Sequence, residues 1–177
     1  MQETTQGSAA DASAETCMME QPKPQHHWLK KFVGEWTYTG HCVMGPDTEP
    51  MTFEGTETVR ALGDLWIIGE SKSAMPGGEP ATMITTIGFN PKTGRFPGTW
   101  IGSMASHLWI YDGHLDAAER VLTLETVGIT PMNPDKATDF KDITEFVSND
   151  ERKFHTMMKK EDGTWHQLVS MTFKRKK

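Results

Sequence analysis

The sequence predicts an all-β fold, a closed antiparallel up-and-down β-barrel of about ten strands with a short N-terminal helix plugging one end. Three observations predict it. Strand-like runs follow one another from residue 35 to the C-terminal tail. Short turn signals separate them, and no long helical period intervenes. A flat meander of that many strands would leave two long edges open to pairing, which closure removes.

The elements follow in chain order. Residues 1–25 are rich in Ser, Thr, Ala, Gln and Glu, contain Pro22 and Pro24, and lack aromatics. Such a segment buries too little apolar surface to offset its ordering entropy and is expected to be a disordered leader, with a start at Met18 or Met19 as an alternative. Residues 26–177 are expected to form the barrel domain. From His26 to Val33, the residues Trp28, Leu29 and Phe32 share one face at helical spacing, and Gly34 ends the run. Strands are expected at 35–44, 51–60, 65–73, 81–89, 95–104, 106–112, 120–128, 139–147, 152–160 and 164–175. The reversals between them are marked by Gly45-Pro46-Asp47, Gly63-Asp64, Pro76-Gly77-Gly78, Asn90 to Gly94, Asp112-Gly113, Pro131 to Pro134, Ser148-Asn149-Asp150 and Asp162-Gly163.

Composition narrows the partners. The net charge is −6 over 177 residues, and Glu3, Asp11, Glu15 and Glu20 against Lys23 place half of it in the leader. Neither nucleic acid nor an acidic membrane surface is an expected partner. No stretch has the basic and apolar regions of a secretory signal, and no apolar run is long enough to span a bilayer. The two cysteines, Cys17 and Cys42, form no spaced framework. Reduced thiols in a cytoplasmic protein are expected, with a single Cys17–Cys42 bridge as the alternative.

Several strands are apolar or aromatic on both faces. Leu108 and Ile110 share one face, while His107, Trp109 and Tyr111 share the other; Leu65 and Ile67 oppose Trp66 and Ile68, and Met83 opposes Ile84. Six Trp and twelve Met suit the lining of an irregular cavity, although the same residues would equally fill a packed core. A ten-strand barrel is wide enough that complete filling is difficult, so an internal cavity is expected. Its candidate ligand-binding residues are Trp66, Met83, Trp100, Ser103, Met104, His107, Trp109 and Tyr111, where aromatic surface lies beside hydroxyl and imidazole groups. The alternative for this group is a packed wall with His107 at the surface. Arg60 and Glu70 are added as a cross-hairpin pair inside the barrel mouth, the alternative being an exposed surface ion pair.

Gly34-Glu35-Trp36 resembles the Gly-x-Trp element that opens the first strand of lipocalins and related calycins, and Arg175 is placed to pack over that tryptophan as a basic residue does there. A longer pattern is similar to the DUF1579 family of bacterial proteins. It comprises Phe53-Glu54-Gly55-Thr56-Glu57, Leu62-Gly63-Asp64-Leu65-Trp66, Gly98 to Met104, Leu108 to Asp116 and Asp162-Gly163-Thr164-Trp165. The resemblance spans about residues 18–177 and implies a lipocalin-like barrel of unknown function, with no catalytic residues to carry over. The lipocalin Thr-Asp-Tyr element and cysteine framework are absent, so secreted lipocalin biology is not implied.

The leading functional expectation is a binding protein for a small apolar molecule, which requires a cavity of some hundreds of Å³. An enzyme acting on a small hydrophobic substrate is the alternative, and it requires a buried, pKa-shifted Glu, Asp or His at the cavity floor. No nucleophile elbow, P-loop, dinucleotide motif or Cys-x-x-Cys is present. A haem-binding barrel is a further alternative, because related ten-stranded barrels hold haem through a C-terminal histidine, and His155 and His166 lie in the last two strands. The residues show no ligand cluster that calls for a metal or other cofactor. A homodimer is also considered, and it requires an exposed apolar patch on the outer wall.

Overall fold

The structure, a computed structural model, describes residues 20–43, 48–74, 80–130 and 133–177. The expected leader therefore lies, up to residue 19, outside the described residues, as do the turn signals at 45–47, 76–78 and Pro131. Helix α1 (Pro24–Leu29) continues into a 3₁₀ turn (Lys30–Phe32). Ten strands follow: β1 (Gly34–Cys42), β2 (Met51–Leu62), β3 (Trp66–Ser73), β4 (Ala81–Gly88), β5 (Phe96–Gly102), β6 (Ala105–Leu115), β7 (Val121–Thr130), β8 (Asn133–Phe146), β9 (Glu151–Lys159) and β10 (Trp165–Arg175). Each pairs antiparallel with its sequence neighbour, and β1 also pairs with β10, with Tyr38 opposite Phe173, so the barrel closes and is lipocalin-like as expected.

The helix seals one end. Trp28, Leu29 and Phe32 point into the barrel and are buried. The Trp28 ring stands edge-on to Phe32, Phe96 and Phe146 at 5.7, 6.2 and 5.7 Å, the arrangement aromatic quadrupoles favour. Two hydrogen bonds fix the plug: Trp28 Nε1–H donates to Glu119 O at 2.7 Å, and His26, which accepts from Lys23 N–H at Nδ1, contacts Phe89 O through Nε2 at 3.0 Å. Arg175 stacks over Trp36, 4.1 Å from the ring centre, while its guanidinium donates to Val33 O, Lys31 O and Asn149 O. A Cβ at Gly34 would collide with the Arg175 guanidinium, and φ there is 133°, so glycine is required between plug and barrel.

Two boundaries differ from the sequence reading. Asp112-Gly113 is no turn, since β6 runs on to Leu115 and reverses at 116–120. Asp116 Oδ1 organises that turn by accepting from Arg120 N–H and Val121 N–H at 2.7 and 2.8 Å. Gly113 is small for packing: a Cβ would meet Leu124 Cδ2 at 2.5 Å and the carbonyls of Thr123 and Phe96 near 3 Å. Strand β8 begins at Asn133, ahead of the expected 139, because its pairing with β7 extends past an irregularity between Gly128 and Thr130.

Candidate functional site

Alternation along the strands sends one side-chain set inward, and the packed core that surrounds the plug residues Trp28, Leu29 and Phe32 continues into the wall through Tyr38, Val59, Tyr111 and Phe173. Beyond it lies a cavity of about 760 Å³, within the roughly 300–1,000 Å³ typical of small-molecule pockets. Met51, Met104 and Ile129, all exposed, stand among the lining residues at the unplugged end and mark its mouth.

Six of the residues singled out from sequence line this cavity: Met83, Trp100, Met104, His107, Trp109 and Tyr111. Trp100 and Trp109 face each other across β5 and β6. The Trp109 ring meets His107 and Phe140 edge-on at 4.8 and 5.0 Å, and a Cβ on Gly128 would strike it. His107 is therefore in the cavity wall, and its Nε2 is buried with no partner among the described residues.

The other four are not among the lining residues. Trp66 lies exposed on the outer face, covering Gly88. Ser103 sits in the β5–β6 turn, where its Oγ accepts from Thr82 N–H at 3.0 Å. Arg60 and Glu70 do not meet: Arg60 is opposite Ile68, Glu70 is opposite Thr58, and both are exposed. Glu70 instead pairs with Lys72 on its own strand at 3.3 Å. Their parity is the reason, since Val59 and Ile67 occupy the inward positions of this hairpin.

The cavity has a buried ion pair made by other residues. Glu57 on β2 accepts from Arg152 on β9 and also from Ser71 Oγ–H at 3.2 Å. The Arg152 guanidinium, 3% exposed, lies 3.8, 4.8 and 5.1 Å from the ring centres of Phe173, Trp36 and Phe32, joining cavity floor to plug. Burial holds its pKa down, opposed by the charge of Glu57.

A second polar group stands apart from the first. Asp142 on β8 accepts from Tyr111 Oη–H at 2.5 Å and from Thr156 Oγ1–H at 2.6 Å. Burial pushes its carboxyl above the ordinary carboxylate range, opposed by those two hydrogen bonds. Tyr111 is pushed well up, by burial first and then by the Asp142 charge. Nearby on β7, Thr126 Oγ1 is buried without a partner among the described residues. Glu57, Arg152, Asp142 and Thr156 were not among the site residues expected from sequence, yet parity could have found them. Glu57 alternates in step with Phe53 and Val59, Asp142 with Phe140 and Phe146, and Arg152 with Phe154.

The C-terminal histidines do not form a site. His155 is opposite Ser170 and His166 is opposite Met158, so the two are not cross-strand partners. His155 has outward parity between Phe154 and Thr156, while His166 Nε2 lies 3.3 Å from Val43 O, and neither lines the cavity. Neither C-terminal histidine is therefore placed to ligate a haem inside the cavity. Among the described residues no group of three or more His, Cys, Asp or Glu is placed to hold a metal ion, and no helix is long and apolar enough to cross a membrane.

Fold and cavity together define a lipocalin-like ten-stranded barrel. The chain belongs to the DUF1579 family, described as a protein of unknown function, which matches residues 21–175. Among solved structures it is similar to Rv2717c from M. tuberculosis, with 15% identity, a TM-score of 0.64, and coverage of 89% of this chain and 100% of the other. It is also similar to the S-type phycobiliprotein lyase CPES from Guillardia theta, with 11% identity, a TM-score of 0.59, and coverage of 86% and 93%. At these identities the likeness concerns the fold. No curated protein matches the sequence.

Proposed function

We propose that this protein is a cytoplasmic carrier or sensor that binds a small, largely apolar molecule inside the barrel. The cavity of about 760 Å³ carries the reading. Its wall combines Met83, Ile87, Trp100, Trp109 and Met171 with a small number of oriented polar groups, the composition of a site that holds an apolar body and positions one polar end. Native mass spectrometry of protein purified from its host tests this. The expected result is an added small-molecule mass released on denaturation, and uniformly ligand-free protein that also fails to bind apolar probes in vitro would overturn it.

An enzymatic reading has one observation in its favour: Asp142 is the buried carboxylate with a raised pKa that such a reading requires. Its oxygens already accept two hydroxyl hydrogen bonds, which stabilise the ionised form and weaken it as a base. Binding is therefore the better-supported role.

The proposal includes a homodimer. Ile84 and Ile101, opposite one another, stand exposed with Leu108, Ile110 and Val127 on strands β4 to β7, and none of the five lines the cavity. Such an aliphatic row matches the same row of a second copy. Light scattering is expected to give twice the chain mass, falling to the monomer for Ile110→Lys; a monomer at all concentrations would remove this element.

A further inference from the structure

We infer that the cavity selects molecules bearing a protonated amine, held on Asp142 with their apolar body against Trp100, Trp109 and Phe140. The inference rests on the ligand-binding reading and adds the ligand's charge. Three observations lead to it.

The first concerns charge. Arg152 and Glu57 offset one another's charge through a direct ion pair, with Arg152 Nε left without a hydrogen-bond partner among the described residues, so this pair presents no net charge to a ligand. Asp142 has no salt-bridge partner among the described residues, although it lies deep in the barrel wall. An ionised carboxylate in an apolar cavity without a countercharge is unfavourable, and a ligand cation relieves it.

The second concerns hydrogen-bonding capacity. A carboxylate offers about four lone-pair sites. Tyr111 and Thr156 take one on each oxygen, and both are donors. The remaining sites accept only from a further N–H or O–H. Thr126 Oγ1, two residue pairs along β7 and β8 from Asp142 and on the same face, is a buried hydroxyl without a partner among the described residues and is a further acceptor on this wall. Ammonium donates three hydrogen bonds, which matches this set, whereas a ligand carboxylate would be repelled.

The third concerns the surrounding rings. Tyr111 adjoins the carboxylate directly, Phe140 is two residues before it on the same face, and Trp109 packs edge-on against Phe140. Aromatic faces beside a carboxylate stabilise an organic cation by cation–π attraction while accommodating its hydrocarbon part.

Isothermal titration calorimetry with three naphthalene probes of similar shape separates the possibilities: naphthylethylamine, naphthylethanol and naphthylacetate. The expected order is amine tightest by at least about tenfold, as a charge-assisted hydrogen bond provides, then alcohol, then acid. Asp142→Asn keeps an acceptor for Tyr111 and is expected to abolish the amine preference while leaving alcohol affinity within about twofold. Equal affinity for amine and alcohol in the unaltered protein, which needs no variant to fold, would overturn the inference and leave the cavity reading standing. A preference retained in a folded Asp142→Asn protein would do the same. Failure of all three probes to bind would overturn both.

Discussion

Tyr111 reaches across β7 to donate its hydroxyl to Asp142 at 2.5 Å, tying β6 to β8 inside the barrel. The bond stabilises a carboxylate that burial otherwise disfavours.

Asp142 makes stability depend on pH with a definite sign. Its folded pKa is raised above the ordinary value of 3.8, so the native state holds the proton more tightly than the unfolded chain. The associated stabilisation is complete below 3.8 and is lost as pH rises through the folded pKa. Relative to the unaltered protein, Asp142→Asn is expected to gain stability over that window and then level off. Urea unfolding of both proteins across the acid range measures this, and a constant difference would contradict it.

Removing the donor alone has the opposite effect. Tyr111→Phe leaves Asp142 without one of its two partners and is expected to destabilise the protein by about 1.5–3 kcal/mol once the carboxylate is ionised. It also drives the Asp142 pKa higher, which carboxyl NMR titration reports. An unchanged titration would show that the bond does not govern this group.

Arg152 tests the buried pair. Arg152→Met strands Glu57 and is expected to cost about 3–5 kcal/mol, with Glu57→Leu/Arg152→Met recovering most of it. Denaturant unfolding of the cycle gives the coupling. Similar losses in the single and double variants would mean that the aromatic stacking of Arg152, rather than its charge, is what the fold uses.

The fold was legible in the sequence because strands and turns are local signals. Asn90 to Gly94 and Asp162-Gly163 reverse the chain where expected, and the Gly34-Glu35-Trp36 start lies under Arg175. Gly113 misled because a glycine required for close packing against Leu124 looks like one required for a turn. The aromatic side of the cavity was legible through the parity of His107, Trp109 and Tyr111. Its polar groups were not, because an Asp, Glu or Arg in a strand is ordinarily read as solvent-facing. Only the closed barrel brings Glu57 of β2 against Arg152 of β9. Arg60 and Glu70 were chosen by charge alone, and their parity with Ile68 and Thr58 on the outer face was the overlooked signal.

Cys42 reports on the cavity mouth. It lines the cavity, and burial pushes its thiol up, so little thiolate is present near neutrality. In a Cys17→Ser background, a maleimide is expected to label it several-fold more slowly than an exposed thiol, with a bound naphthalene probe slowing it further. Labelling as fast as free cysteine would place this residue outside the protected site.

The hollow interior is tested most directly by filling it. Gly69 lines the cavity, and a Cβ there would stand 3.5 Å from Glu57 Oε1 and 3.6 Å from Val59 Cγ2, ordinary contact distances. Gly69→Phe therefore extends a ring into the cavity without forcing the backbone. Calorimetric titration with naphthylethanol is expected to show one saturable site in the unaltered protein and at least about tenfold weaker binding in Gly69→Phe, with thermal unfolding retained. Equal affinity in both proteins would contradict binding inside the barrel.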